Sequence, residues 1–206
     1  MMMCYPESSS KREQILHLAG AKGIVRPRDL LPLGIDPSYL RRLTETGSLQ
    51  KLARGLFTLP TLDLTEHHTL AEVAACCPHA IICLLSAARF HNLGTESPGP
   101  VWVALARGKS RPTHPALPQL HVVWFAPAAL RYGIESHCIE GVPVWITSPA
   151  RTVVDLFRFR HRVSLETALD TLRDALAQGV TVREIMDQAA PFHMQNRIRP
   201  YLEALI

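Results

Sequence analysis

No stretch of this chain approaches the roughly 18–20 consecutive apolar residues that a membrane-spanning helix needs. The apolar run Ala80–Leu85 has instead the length of one buried element. A secretory signal is not expected either, because Met1-Met2-Met3-Cys4 is followed at once by Pro6, Glu7 and three serines. The cysteines, Cys4, Cys76, Cys77, Cys83 and Cys138, are odd in number, which argues against a disulfide framework and for reduced thiols in the cytoplasm. There is no glycine-rich phosphate loop, and no Gly-Ser followed by Asp-x-Asp of the nucleotidyltransferase kind. Internal repeats and low-complexity tracts are lacking too. His67, His68, Cys76, Cys77, His79 and Cys83 do crowd one segment. A structural zinc site, however, pairs its ligands two to four residues apart in two knuckles. Here Cys76 and Cys77 are adjacent, about 100° apart on a helix, and no second knuckle follows. Neither a metal nor another cofactor is expected.

With 47% apolar and 19% charged residues, the composition is that of a folded globular protein. The net charge of +4 is unevenly spread. Residues 1–65 carry nine Lys and Arg against six Asp and Glu, and the remainder thirteen against twelve. A modest positive excess thus sits at the N-terminal end, as binding to a polyanion would require.

The segment Ser10–Pro60 carries the plainest signals. Ser10-Lys11-Arg12-Glu13 is a capping box, and Ile15, Leu18 and Ala19 recur at helical spacing until Gly23. A second short helix is predicted over Arg26–Leu31, opening with Pro27 and ending before Pro32. Asp36 then caps a third, with Pro37 at its first position and Gly47 beyond its end. On the third helix Tyr39, Leu40 and Leu43 form an apolar side, while Ser38, Arg41, Arg42 and Glu45 face outward. Two apolar runs flanking Ala53-Arg54-Gly55 predict a β-hairpin carrying Lys51 and Arg54. This is the layout of a winged helix-turn-helix, with Ser38, Tyr39, Arg41 and Arg42 on the reading helix and Lys51 and Arg54 on the wing. A small helical domain with merely solvated arginines is the competing reading.

A link at Thr61–Thr65 leads into a second domain over residues 66–206. A helix starting at Thr65 or His67 should reach Cys77, and another should run over Ile82–Leu93. Val101–Leu105 and His121–Phe125 read as strands, separated by a basic, proline-rich loop over Arg107–Pro118. Ile134–Ile139 and Val142–Ile146 form a hairpin turned at Glu140-Gly141. Helical regions capped by Ser148, Ser164 and Thr181 follow, the middle one with a stripe of Leu165, Leu169, Leu172 and Leu176. The fold class is α+β: a winged helix-turn-helix over 1–65, then a small antiparallel or mixed sheet packed by helices.

Three segments in this order resemble the AbiEi-type antitoxins, the transcriptional-regulator half of type IV, abortive-infection toxin–antitoxin systems. They are Leu49-Gln50-Lys51-Leu52-Ala53-Arg54-Gly55-Leu56-Phe57-Thr58-Leu59-Pro60, Gly141-Val142-Pro143-Val144-Trp145-Ile146, and the run from Ser148-Pro149-Ala150-Arg151-Thr152 to Asp155-Leu156-Phe157-Arg158-Phe159-Arg160. The resemblance implies a phage-defence protein whose winged helix represses its own operon at inverted repeats in double-stranded DNA. Its C-terminal domain would counter a separately encoded nucleotidyltransferase-like toxin, in some systems without direct contact. Arg41, Arg42 and Arg54 would touch DNA, and Arg151, Asp155, Arg158 and Arg160 would belong to a C-terminal motif of unassigned role.

Read from the residues alone, Arg151 and Asp155 share a helix face, where a structural ion pair at the core edge is favoured over a functional site. Arg158, Arg160 and Arg162, with His161, offer either a nucleic-acid or acidic-partner surface or a solvated helix end. No catalytic group is expected: Ser86 and His91 lack an orienting acid, and Asp170 and Asp174 alternate with Arg173 on an exposed face. The expected function is a DNA-binding antitoxin and autorepressor, working as a dimer or as two copies on adjacent half-sites. The alternatives are a winged-helix regulator whose second domain senses a small ligand, and a chain whose first domain mediates only protein contacts.

Overall fold

The computed structural model describes residues 10–60, 65–96, 99–113 and 117–205. Cys4, most of the Thr61–Thr65 link and the Ser97-Pro98 turn lie outside them. The chain divides into two compact units. One comprises residues up to Cys76 with 113–117 and Cys138–Pro143; the other comprises Cys77–Pro112, Pro118–His137 and Val144–Ile206.

The first unit begins with α1, Lys11–Lys22, whose capping box is complete: the Glu13 N–H donates to Ser10 Oγ at 3.2 Å and the Ser10 N–H to Glu13 Oε2 at 2.8 Å. The short helix expected over Arg26–Leu31 forms, but it does not end before Pro32. It is a 3₁₀ helix, Pro27–Leu33, that runs through Pro32. Pro27, at the first helical position, forgoes an N–H that no helix would bond, but Pro32 removes a donor that an α-ladder would use, and the segment keeps the tighter turn. Asp29 holds its start, accepting the Arg26 N–H at 2.8 Å and Arg26 Nε at 2.9 Å. Helix α2, Ser38–Glu45, buries Leu40 and Leu43, and Asp36 Oδ1 accepts the Ser38 N–H at 2.7 Å.

The wing is β1, Gln50–Ala53, paired antiparallel with β2, Leu56–Thr58, around Arg54-Gly55. Val25 and Phe57 exchange two backbone hydrogen bonds (2.7 and 3.0 Å), and Thr58 Oγ1 donates to the Gly23 carbonyl at 2.8 Å. The hairpin is thereby tied to the exit of α1. Ile15, Leu18, Leu30, Leu40, Leu43 and Phe57 form the shared core. Helix α3, His68–Cys76, starts near its expected place.

In the second unit, β3 is Ile81–Ile82 and α4 is Leu84–Phe90. The helix expected from Ile82 therefore begins two residues later. The β-branched Ile81-Ile82 pair extends into the sheet instead, and Leu84 (φ 49°) turns the chain. Strands β4, Val101–Ala106, β5, Leu120–Phe125, β6, Ile134–Ile139, and β7, Val142–Thr147, complete a five-stranded mixed sheet of order β5-β4-β3-β7-β6. Helix α5, Pro149–Arg158, starts on the expected Ser148 cap and buries every residue from Ala150 to Phe157. It packs on α4 and on the later helices α7, Leu165–Ala177, and α8, Val182–Ala189. The short α6, Arg160–Val163, links α5 to α7, and α9, Gln195–Glu203, adds a helix not separately foreseen. The predicted leucine stripe of α7 is offset. Its buried face is Thr167, Ala168, Thr171, Leu172 and Ala175, because small residues let helices approach closely, while Leu165 is exposed.

Residues Cys138–Pro143, the turn between β6 and β7, count with the first unit. Glu140 and Gly141 both have positive φ, as a tight two-residue hairpin turn requires. The Glu140 carboxylate accepts the Thr65 N–H (2.7 Å) and Thr65 Oγ1 (3.0 Å) and meets His68 Nδ1 at 2.6 Å. Burial alone would raise its pKa, but the His68 and Thr65 hydrogen bonds prevail and hold it below the ordinary glutamate value. The Glu140 carbonyl lies so close to Gly23 that a Cβ there would sit 1.3 Å from its oxygen. Gly34 has a similar φ of 63° but open space around it. Gly34→Ala should therefore cost about 1 kcal/mol of backbone strain, and Gly23→Ala at least about 3 kcal/mol, read from urea-unfolding midpoints.

Candidate nucleic-acid interface

The residues predicted to read DNA fall on α2 and the wing. Ser38, Arg41 and Arg42 are exposed and Tyr39 is half-buried against the core. Arg41 Nε donates to Glu45 Oε1 at 2.9 Å across one helical turn, and both side chains stand in solvent. Such a pair is weak enough to be exchanged for another anion. Lys11 Nζ and Arg42 Cζ lie 5.6 and 5.8 Å from the centre of the Tyr39 ring. Arg12 Nη2 donates to Ser48 Oγ at 3.2 Å. Lys11 and Arg12 were not among the predicted contacts, although a basic pair directly after the Ser10 cap is visible in the sequence. Lys51 is exposed on β1, and Arg54 is exposed at the tip of the hairpin. Arg54 shares a cleft of about 340 Å³ with Arg26, Arg28 and Cys76. Arg26 is committed, bonded to Asp29 and donating to the Ala75 carbonyl at 2.8 Å.

Residues 13–60, which span α1, the turn, α2 and the wing, match the family model described as a transcriptional regulator, AbiEi antitoxin. The similarity to that family is confined to this N-terminal region. The crystal structure of the Rv2827c protein from Mycobacterium tuberculosis is similar to this chain at a TM-score of 0.53 and 16% identity, covering 86% of this chain and 70% of that one. At such identity the likeness is one of fold. A comparison with curated proteins returned no match. The AbiEi match holds the wing segment quoted above, while the other two segments lie beyond it.

The C-terminal motif is laid out differently from expectation. Asp155 does not sit at the core edge. Arg151 and Asp155 are 1% and 0% exposed, joined by an Nε–Oδ2 bond of 2.9 Å. The almost wholly apolar sequence around Asp155 draws the entire turn inside. Arg151 Nη1 also donates to the Ala129 (3.0 Å) and Tyr132 (2.8 Å) carbonyls, and its guanidinium lies 4.0 Å from the Phe192 ring centre. Burial raises the Asp155 carboxyl against the opposing pull of Arg151 and Arg158. Arg158 is half-buried over Phe125, Phe159 and Phe192, and its Nη1 has no hydrogen-bond partner among the described residues. Arg160, His161 and Arg162 are exposed.

Ser86, His91, Asp170 and Asp174 each have a partner within the fold. Ser86 Oγ accepts the Trp102 N–H at 2.9 Å, and His91 Nε2 meets the Thr147 carbonyl at 2.8 Å. Asp170 binds Arg173 at 2.8 Å, and Asp174 accepts the Gly94 N–H at 2.7 Å. Among the described residues no group of three His, Cys, Asp or Glu could hold a metal ion, and no helix is long and apolar enough to cross a membrane. A wide-mouthed cavity of about 670 Å³ beside the start of α5 is lined by Arg131, Glu135, Glu184, Asp187 and Gln188. Such mixed charge is unlike the apolar enclosure a small-ligand sensor uses. Arg151→Ala should cost about 3–5 kcal/mol by stranding a buried carboxylate. The double variant with Asp155→Ala should cost less than the sum of the two single changes, measured by chemical denaturation as a double-mutant cycle.

Proposed function

We propose that the chain is a cytoplasmic, non-enzymatic, DNA-binding antitoxin that represses its own operon. One observation carries this reading: the AbiEi match over residues 13–60 coincides with a helix-turn-helix and hairpin whose exposed side includes Arg41, Arg42, Lys51 and Arg54. Helix α2 enters the major groove, with Ser38, Tyr39, Arg41 and Arg42 against bases and phosphates, and Lys51 and Arg54 anchor the wing on the backbone. A single winged helix has a small footprint, so operator inverted repeats seat two copies. The domain over 66–206 counters a separately encoded nucleotidyltransferase-like toxin. Within it Arg151 and Asp155 hold α5 in place.

The test is a salt-titrated binding assay on the chain's own upstream DNA. The wild type should bind that DNA specifically and ever more weakly as salt rises, and the Arg41→Ala/Arg42→Ala variant should lose at least about 1–3 kcal/mol of binding. Co-expression with the neighbouring toxin reading frame should restore growth. Loss of that rescue with DNA binding intact would separate the antitoxin half of the reading from the repressor half.

A further inference from the structure

We infer that the groove between the start of α1 and one flank of α2 seats the phosphate backbone of one DNA strand, with Lys11 and Arg42 neutralising phosphates over Tyr39. The inference rests on the DNA-binding reading above and assigns roles within it. The groove holds about 570 Å³ and is lined by Lys11, Arg12, Tyr39, Arg42, Thr46 and Ser48, among others. Two cations from separate helices converge on one aromatic ring, Lys11 Nζ at 5.6 Å and Arg42 Cζ at 5.8 Å. Neither is ion-paired among the described residues, so their mutual repulsion is relieved by an anion between them. Asp36, the carboxylate that feels the charge of Lys11, is committed to the Ser38 N–H. Arg12 reaches across to Ser48 and fixes the far wall.

Helical geometry divides the labour on α2. At about 100° per residue, Tyr39 and Thr46 lie to one side of Arg42, towards the groove, while Ser38, Arg41 and Glu45 lie to the other. Arg42 therefore belongs to the backbone-binding flank. Ser38 and Arg41 form the edge that meets bases. Phosphate contacts fix register without reading sequence, whereas base contacts discriminate.

The experiment measures binding of the full chain to its own upstream DNA and to a scrambled duplex of equal length, across a salt series. Lys11→Ala and Arg42→Ala should each flatten the slope of log affinity against log salt by about 0.9, leaving the ratio of specific to scrambled binding unchanged. Arg42→Lys should restore the slope, and Arg41→Ala should lower the ratio. Wild-type slopes in both alanine variants would overturn the inference while leaving the DNA-binding reading standing. A lowered ratio with an unchanged slope in Arg42→Ala would overturn it by making Arg42 a base reader. A wild type that binds neither duplex would defeat the DNA-binding reading itself.

Discussion

The second unit depends on one buried ion pair. A guanidinium and a carboxylate taken out of water cost several kcal/mol each, and only close geometry with further hydrogen bonds returns that cost. Arg151 meets the demand on three sides: Asp155 on its own helix, the Ala129 and Tyr132 carbonyls on the neighbouring segment, and the Phe192 ring. Each contact fixes something else. The pair sets the rotation of α5, the carbonyls fix the loop before β6, and the ring fixes the chain after α8. Because α5 touches α4, α7 and α8, an error in its rotation would propagate to every helix around it.

The first unit is held by an apolar core and backbone bonds, with the Arg26–Asp29 and His68–Glu140 contacts at its turns. Helix α1, the 3₁₀ segment and α2 share a compact apolar core, and the wing is sewn to the α1 exit by Val25, Phe57 and Thr58. That arrangement keeps the outward side of α2 out of the folding problem. Ser38, Arg41 and Arg42 hold up no part of the core, so they are free to be chosen for a partner.

Much of this could be read from the chain, and the reason is local. Ser10, Ser148, Ser164 and Thr181 each write a helix start in one residue and its neighbours, and Glu140-Gly141 writes a turn. What escaped depends on distance. A two-residue strand such as Ile81-Ile82 has no periodicity to detect, and only its partners in β4 and β7 make it one. The leucine stripe of α7 was read in part: Leu172 is buried and Leu169 and Leu176 pack against the core, but the closest contact selects the small residues Thr167, Ala168, Thr171 and Ala175. The pairing of Arg151 with Asp155 follows from a spacing of four, but its depth follows from the whole packing of α5. The exposed arginines of α2 were legible, while Lys11 and Arg12 share a groove with Arg42 only once α1 lies beside α2.

The shortness of β3 has a consequence for how the chain is made. Ile81 and Ile82 pair antiparallel with β4 and parallel with β7, and so form the only seam between the two halves of the sheet among the described residues. During synthesis the β4–β5 half can assemble early, but the seam has no second edge until Trp145 and Ile146 leave the ribosome. Until then an unpaired strand edge is displayed on the nascent chain, the kind of surface on which chaperones act. The time spent in that half-built state is set by the spacing of the strands along the chain, and it would lengthen with any insertion between β4 and β7.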